Sequence, residues 1–129
     1  KTVKFHHIRK LTITHETQYL LQFNLSKITH LDISNLGITE FIVPNNIIEL
    51  NCEGNFISVL RIPPGAKKVN CSNNRIELLQ LPDSIIEFNC ARNIIELLKV
   101  PPNTKKMVCS VNLINHLKFH RIKIKLKVN

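Results

Sequence analysis

Residues 47–65 read IIELNCEGNFISVLRIPPG, and the same pattern returns 19 residues later in residues 66–84, as AKKVNCSNNRIELLQLPDS, and again in residues 85–103. The positions that keep this interval are Cys52, Cys71, Cys90 and Cys109; Asn55, Asn74, Asn93 and Asn112; Ile57, Ile76, Ile95 and Ile114; Leu60, Leu79, Leu98 and Leu117; and Pro63, Pro82 and Pro101. A fixed short period is typical of a solenoid, in which each repeat buries its apolar side only by stacking on its neighbours.

Each repeat contains one short segment in which apolar and polar residues alternate. Around Leu50 and Cys52 this alternation predicts a strand with both side chains turned inward. The equivalent inward pairs are Leu31/Ile33, Val69/Cys71, Phe88/Cys90, Met107/Cys109 and Leu126/Val128. A buried Asn55 after the strand can satisfy backbone groups of neighbouring turns. The sequence therefore predicts a mainly β repeat solenoid, with a parallel sheet of short strands and irregular or short 3-10 return segments.

The period also divides the chain. Residues 1–27 fit it poorly and are interpreted as an N-terminal cap with a degenerate repeat around Leu11 and Ile13, because a solenoid needs its end covered. Residues 28–122 are interpreted as five 19-residue repeats, and residues 123–129 as a final strand or partial repeat. No apolar run reaches the 18 residues of a membrane-spanning segment, so none is predicted.

The string L-x-C-x-x-N-x-I-x-x-L-x-[ILV]-P resembles the leucine-rich repeat, with Cys in the third apolar slot, over roughly residues 28–128. The short unit is similar to the repeats of secreted bacterial effector proteins, and the Cys slot in an Ile/Asn/Lys-rich chain is similar to repeats of large DNA viruses. Departures lie at the ends, where Leu36 replaces the Asn and His120-Arg121 replace the proline pair. The resemblance implies a horseshoe or arc with the strands on its concave face and a non-catalytic role in protein–protein interaction.

The outward positions of the strands form the candidate partner-binding surface, because a rigid repeat face presents its side chains without an ordering cost. These positions are His30, Asp32, Ser34, Glu49, Asn51, Glu53, Lys68, Asn70, Ser72, Glu87, Asn89, Lys106, Val108 and Ser110. A 38-residue alternation places Glu49, Lys68, Glu87 and Lys106 in one row, where opposite charges on neighbouring strands attract. This row is interpreted as support for the strand register, with a partner-reading stripe as the alternative.

The net charge of +9 lies at the two ends. Residues 1–27 contain five basic and one acidic residue, residues 28–117 contain eight of each, and residues 118–129 contain five basic residues. The basic end patch consists of Lys118, Arg121, Lys123, Lys125 and Lys127. Lysines on a last strand discourage edge-to-edge aggregation. Contact with nucleic acid or an anionic membrane is the alternative, although few aromatic residues are available to stack on bases.

Motifs for catalysis or metal binding are lacking in the sequence. The cysteines are separated by whole repeats and not by the two to four residues typical of zinc ligands, so they are interpreted as small apolar core residues. Four unpaired thiols favour a reducing, intracellular setting. The three glycines cannot form a phosphate-binding loop. We therefore expect no enzyme activity, no metal and no cofactor.

The leading hypothesis is a protein–protein interaction module whose partner is unknown, present as a monomer or weak dimer. One alternative is an adaptor whose basic termini contact anionic surfaces. The other is the substrate-recognition part of a larger effector such as a ubiquitin ligase, which the family resemblance alone suggests.

Overall fold

The computed structural model describes residues 7–119 and the backbone of residues 127–128, and shows a solenoid of short parallel strands. The large sheet has seven strands, and one further set of strands lies on the return path. The large sheet contains β1 (Lys10–Thr12), β2 (His30–Asp32), β3 (Glu49–Asn51), β5 (Lys68–Asn70), β7 (Glu87–Asn89), β9 (Lys106–Val108) and β11 (Lys127–Val128). The return strands are β4 (Val59–Arg61), β6 (Leu78–Gln80), β8 (Leu97–Val100) and β10 (His116–Phe119).

The register of the large sheet follows the sequence period. His30 lies opposite Glu49, and each later strand pairs with the strand 19 residues on, as far as Lys106. The step between β1 and β2 is 20 residues, and the step between β9 and β11 is 21. The expected pairing of Val128 with Cys109 is therefore wrong, because Val128 lies opposite Met107. The division of the chain at residues 27 and 122 stays a prediction.

The return path is more regular than the sequence suggested. Instead of irregular or 3-10 segments, it forms two two-stranded parallel sheets, β4 with β6 and β8 with β10. Stacking brings equivalent segments side by side in register, so their backbone N–H and C=O groups can pair. Among the described residues, the 3-10 helix Gln18–Gln22 is the one helical segment, and none of them belongs to a helix that could cross a bilayer.

The core lies between the large sheet and the return strands. The inward side chains in the middle of the stack are buried, including Leu50 on β3, Cys52 directly after it and Leu60 on β4. The interior ladders predicted from the repeat are thus confirmed along the middle of the stack. The last described return strand differs, since Leu117 is still 38% exposed.

A ladder of asparagine side chains closes the turns that follow β3, β5, β7 and β9. Asn93 Oδ1 accepts the backbone N–H of Ile76 at 2.9 Å, and Asn93 Nδ2 lies 3.0 Å from the carbonyl of Cys71 and 3.1 Å from that of Cys90. The same bonds recur at Asn74 and Asn112. Each amide therefore joins two consecutive turns, which confirms the predicted role of this asparagine.

The residue before each ladder position has a left-handed backbone conformation. Gly54, Asn73, Arg92 and Val111 have φ values of 71°, 54°, 56° and 55°. Gly and Asn adopt this region readily, whereas a β-branched residue does so at a cost of roughly 1–2 kcal/mol. Val111 is 65% exposed and gains little packing in return.

We expect Val111→Asn to stabilise the protein by about 1 kcal/mol, because Asn tolerates this backbone conformation and little burial is lost. Chemical denaturation of the variant and the wild type measures the difference. Leu113→Asn, two residues further on and similarly exposed, is the matched control and should not stabilise. Equal effects of the two substitutions would contradict the assignment of strain to Val111.

Candidate recognition surface on the large sheet

The outward side of the large sheet, called the strand face below, presents its side chains in three rows. The first row contains Lys10, His30, Glu49, Lys68, Glu87 and Lys106. The second contains Thr12, Asp32, Asn51, Asn70, Asn89 and Val108. The third row follows the strands and contains Ser34, Glu53, Ser72, Ala91 and Ser110. The structure thus brings all the predicted partner-binding residues into one array, with about 4.8 Å between neighbouring strands.

Charges in the first row pair in a way that the sequence did not specify. Glu49 lies 3.0 Å from His30 Nε2, while Lys68 lies 3.8 Å from Glu87. The His30 ring is fixed from its other side by Thr29 Oγ1, 2.9 Å from Nδ1. Glu49 therefore pairs with His30 on the preceding strand β2, and Lys68 pairs with Glu87 on the following strand β7.

Polar side chains of the second row hold the turn that follows each strand. The Oδ1 atoms of Asn51, Asn70 and Asn89 each accept the backbone N–H two residues on, at 3.0–3.1 Å. Asp32 does the same for Ser34 at 2.9 Å. This arrangement is an Asx-turn, whose sequence signal is an Asn or Asp directly at the end of a strand. Part of the hydrogen-bonding capacity of this row is therefore committed to the fold.

Hydrogen bonds also run along the second row and join it to the third. Asn51 Nδ2 donates to Asp32 at 3.4 Å, and Asn70 Nδ2 donates to Glu53 at 3.2 Å. Ser72 is buried, and its hydroxyl donates to Asn70 Oδ1 at 2.7 Å. The face is thus a connected polar network in which Ser72 supports its neighbours and is not itself open to a partner.

A shallow depression of about 370 Å³ lies on the strand face near its N-terminal end. Outward residues of β1, β2, β3 and β5 line it, among them Lys10, His30, Asp32 and Lys68. Cations and carboxylates both border the depression, so it can receive a polar segment that has charges of both signs.

The basic end patch does not form one surface among the described residues. Lys118 lies on return strand β10, opposite Lys99, whereas Lys127 lies on β11 of the large sheet. Arg121, Lys123 and Lys125 lie outside the described residues. Their predicted common role stays a prediction.

The cysteine thiols are poor candidates for chemistry. Cys52, Cys71 and Cys90 are buried and Cys109 is partly buried, all as free thiols. Burial raises the pKa of Cys52 and of Cys90 to about 12 and that of Cys71 well above its ordinary value. Reactive cysteines need the opposite shift, because the thiolate is the nucleophile. Residues 7–119 contain no cluster of His, Cys, Asp and Glu that could hold a metal ion.

Sequence reasoning missed a second surface, on the outward side of the return strands, called the return face below. Val59, Leu78 and Leu97 form an exposed apolar row there, directly before the buried Leu60, Leu79 and Leu98. The available signal was the pair of consecutive apolar residues in each repeat, since alternation in a strand sends one of the two outward.

No family model matches this sequence, and no curated protein matches it. A solved structure to which the chain is similar is the crystal structure of the leucine-rich repeat domain of APL1B, with 18% sequence identity and a TM-score of 0.40. The match covers 94% of this chain and 53% of that one, so the chain spans about half the length of the APL1B domain. Neighbouring strands of the large sheet pair residues that are 19 positions apart in the sequence. This register defines the class of protein as a parallel β-solenoid with 19-residue turns and a polar strand face.

Proposed function

We propose that this protein is a non-catalytic scaffold of the leucine-rich repeat type that binds a protein partner through its strand face. The observation that supports this function most strongly is the in-register array of three polar rows on one face. Strand pairing, Asx-turns and the asparagine ladder hold the backbone beneath these side chains. A partner therefore meets groups that are already ordered, and binding loses little conformational entropy.

The chemistry of the face indicates the kind of partner. Cationic Lys68 and Lys106 alternate with anionic Glu49 and Glu87, so a complementary surface has charges of alternating sign at strand spacing. The rows contain no Trp, Tyr or Arg, the residues that most often dominate tight interfaces. We therefore propose a specific but transient interaction, read mainly by charge and hydrogen bonding.

This function is tested by comparing the proteins that the wild type captures from cell lysate with those captured by a variant of the same net charge. In Lys68→Glu/Glu87→Lys the ion pair between β5 and β7 keeps its attraction with reversed polarity, while the like charges created beside Glu49 and beside Lys106 each cost about 0.2–1 kcal/mol. The fold should survive, whereas a partner that reads the face meets like charges and should be captured at least about tenfold less. Mass spectrometry of the captured proteins gives the comparison with the wild type.

Glu96→Lys/Lys99→Glu is the matched control, because it also conserves net charge but lies on the return face. A specific strand-face partner is retained by this control and lost by the strand-face variant. Equal capture by all three proteins that disappears at high salt would instead support the adaptor function, in which the basic termini contact an anionic surface.

A further inference from the structure

The return face has an exposed apolar row on a part of the molecule that the proposed function does not use. Val59, Leu78 and Leu97 are 41%, 43% and 55% exposed. Val59 and Leu78 lie opposite each other in the pairing of β4 with β6, so the row is continuous there. The strand face, by contrast, contains no exposed large apolar side chain among the described residues. Contiguous exposed apolar groups on a soluble protein mark interaction sites more often than isolated ones do.

Charges of opposite sign border this row on its two sides. Glu77 and Glu96 precede strands β6 and β8 and lie on one side, while Arg61 on β4 and Lys99 on β8 lie on the other. All four side chains are exposed, and none forms an ion pair within the described part of the chain. This contrasts with the strand face, where Glu49 and Glu87 both have partners.

We infer that the return face binds the return face of a second copy of this chain, with a two-fold axis parallel to the stack of repeats. Rotation about such an axis exchanges the acidic and basic sides of the face and leaves each repeat opposite the same repeat of the other copy. The apolar rows then meet along the axis, and each acidic side meets a basic side. Contacts in a two-fold dimer are reciprocal, so the pattern is complementary to itself.

The contacts between the acidic side of one copy and the basic side of the other can be followed repeat by repeat. In the repeat that contains β8, Glu96 of one copy faces Lys99 of the other. In the repeat that contains β6, Glu77 faces Gln80 and lies one repeat from both Arg61 and Lys99. A groove of about 370 Å³ beside Glu77 and Glu96, also lined by Ile94 and Leu113, gives the opposite cations apolar walls for their methylene groups.

The extent of the face indicates a weak dimer. The four return strands span roughly 19 Å along the stack at about 4.8 Å each, which places the interface at the small end of specific ones. We therefore expect association in the range of about 10–100 μM, visible in concentrated solution.

Sedimentation equilibrium of the whole chain in reducing buffer, at about 0.15 M salt, tests this inference with two charge-reversed variants. Glu77→Lys/Glu96→Lys makes both sides of the apolar row basic, and Arg61→Glu/Lys99→Glu makes both sides acidic. Each variant alone should dissociate at least about tenfold more readily than the wild type. An equimolar mixture of the two should associate again, because every contact then joins a basic side to an acidic one.

Three controls keep the test decisive. Glu16→Lys/Glu53→Lys adds the same net charge at two residues outside the return face and should leave dimerisation unchanged. Glu96→Lys/Lys99→Glu reverses one contact pair and should also still dimerise. Leu97→Asp should dissociate the dimer, whereas Val111→Asp, at a residue 65% exposed in the turn after β9, should not. A wild type that is monomeric at about 1 mM, or variants that fold but do not associate when mixed, would overturn the inference.

Discussion

Asn93→Asp is expected to destabilise the protein by roughly 3–5 kcal/mol at neutral pH, because it places an uncompensated carboxylate in the core. The amide nitrogen of Asn93 donates to three carbonyl oxygens, those of Cys71, Cys90 and Ala91, at 3.0–3.2 Å. An aspartate oxygen in that position has no proton to donate and faces those oxygens directly. Urea denaturation at constant temperature measures the loss.

The effect should depend on pH with a definite sign. The carboxyl group that replaces the amide is stabilised in its neutral form in the folded state, so its pKa is raised on folding. The variant is therefore least destabilised below the ordinary pKa of an aspartic acid side chain, about 3.9, and loses stability as the pH rises through the folded pKa. Asn45→Asp, at an exposed residue, is the matched control and should change stability by less than about 0.5 kcal/mol. A similar small effect at Asn93 would contradict the ladder.

Stability is expected to fall steeply above about pH 9 because of the buried thiols. Burial raises the pKa of Cys52 and Cys90 from 9.0 to about 12, and that of Cys71 in the same direction. In the unfolded chain these thiols ionise near pH 9, whereas in the folded chain they stay neutral. The stability that they contribute is thus complete below pH 9 and is lost as the pH approaches 12, by on the order of 4 kcal/mol for each of Cys52 and Cys90.

Urea midpoints in reducing buffer at about pH 8 and about pH 11 measure this loss. Cys52→Ala/Cys90→Ala removes two of the thiols and serves as the comparison. It should be less stable at pH 8, because each substitution leaves a small cavity, but it should lose less stability on going to pH 11. Lysines ionise over the same range in both proteins, so only the difference between them reports on the thiols. Equal losses would contradict the buried-thiol ladder.

Much of the architecture could be predicted from the sequence because one 19-residue pattern repeats almost without change. Cys52, Asn55 and Leu60 keep their slots in consecutive repeats, and in-register stacking gives each slot one environment. Outward positions follow from the inward ones by strand alternation. The residues that make up the strand face could therefore be predicted from the sequence alone.

The remaining features depend on three-dimensional choices that a repeat pattern leaves open. Glu49 has a basic residue on the strand to each side, and only the structure shows that it pairs with His30 and not with Lys68. The 21-residue step before β11 was missed, because His120-Arg121 replace the proline pair and no later residue of the sequence marks the period. Likewise, only the side-chain geometry of the structure shows that Asn70 both forms an Asx-turn and donates a hydrogen bond to Glu53.

A binding titration with the captured protein is the most direct test of whether the strand face is a recognition surface. Its affinity is measured for the wild type, for Lys68→Glu/Glu87→Lys and for Glu96→Lys/Lys99→Glu, each at about 0.15 M and about 0.5 M salt. We predict that the strand-face variant binds at least about tenfold more weakly at about 0.15 M salt and that this difference is smaller at about 0.5 M, whereas the return-face variant binds as the wild type does at both. Equal affinities for all three proteins at about 0.15 M salt would contradict a recognition role for this face.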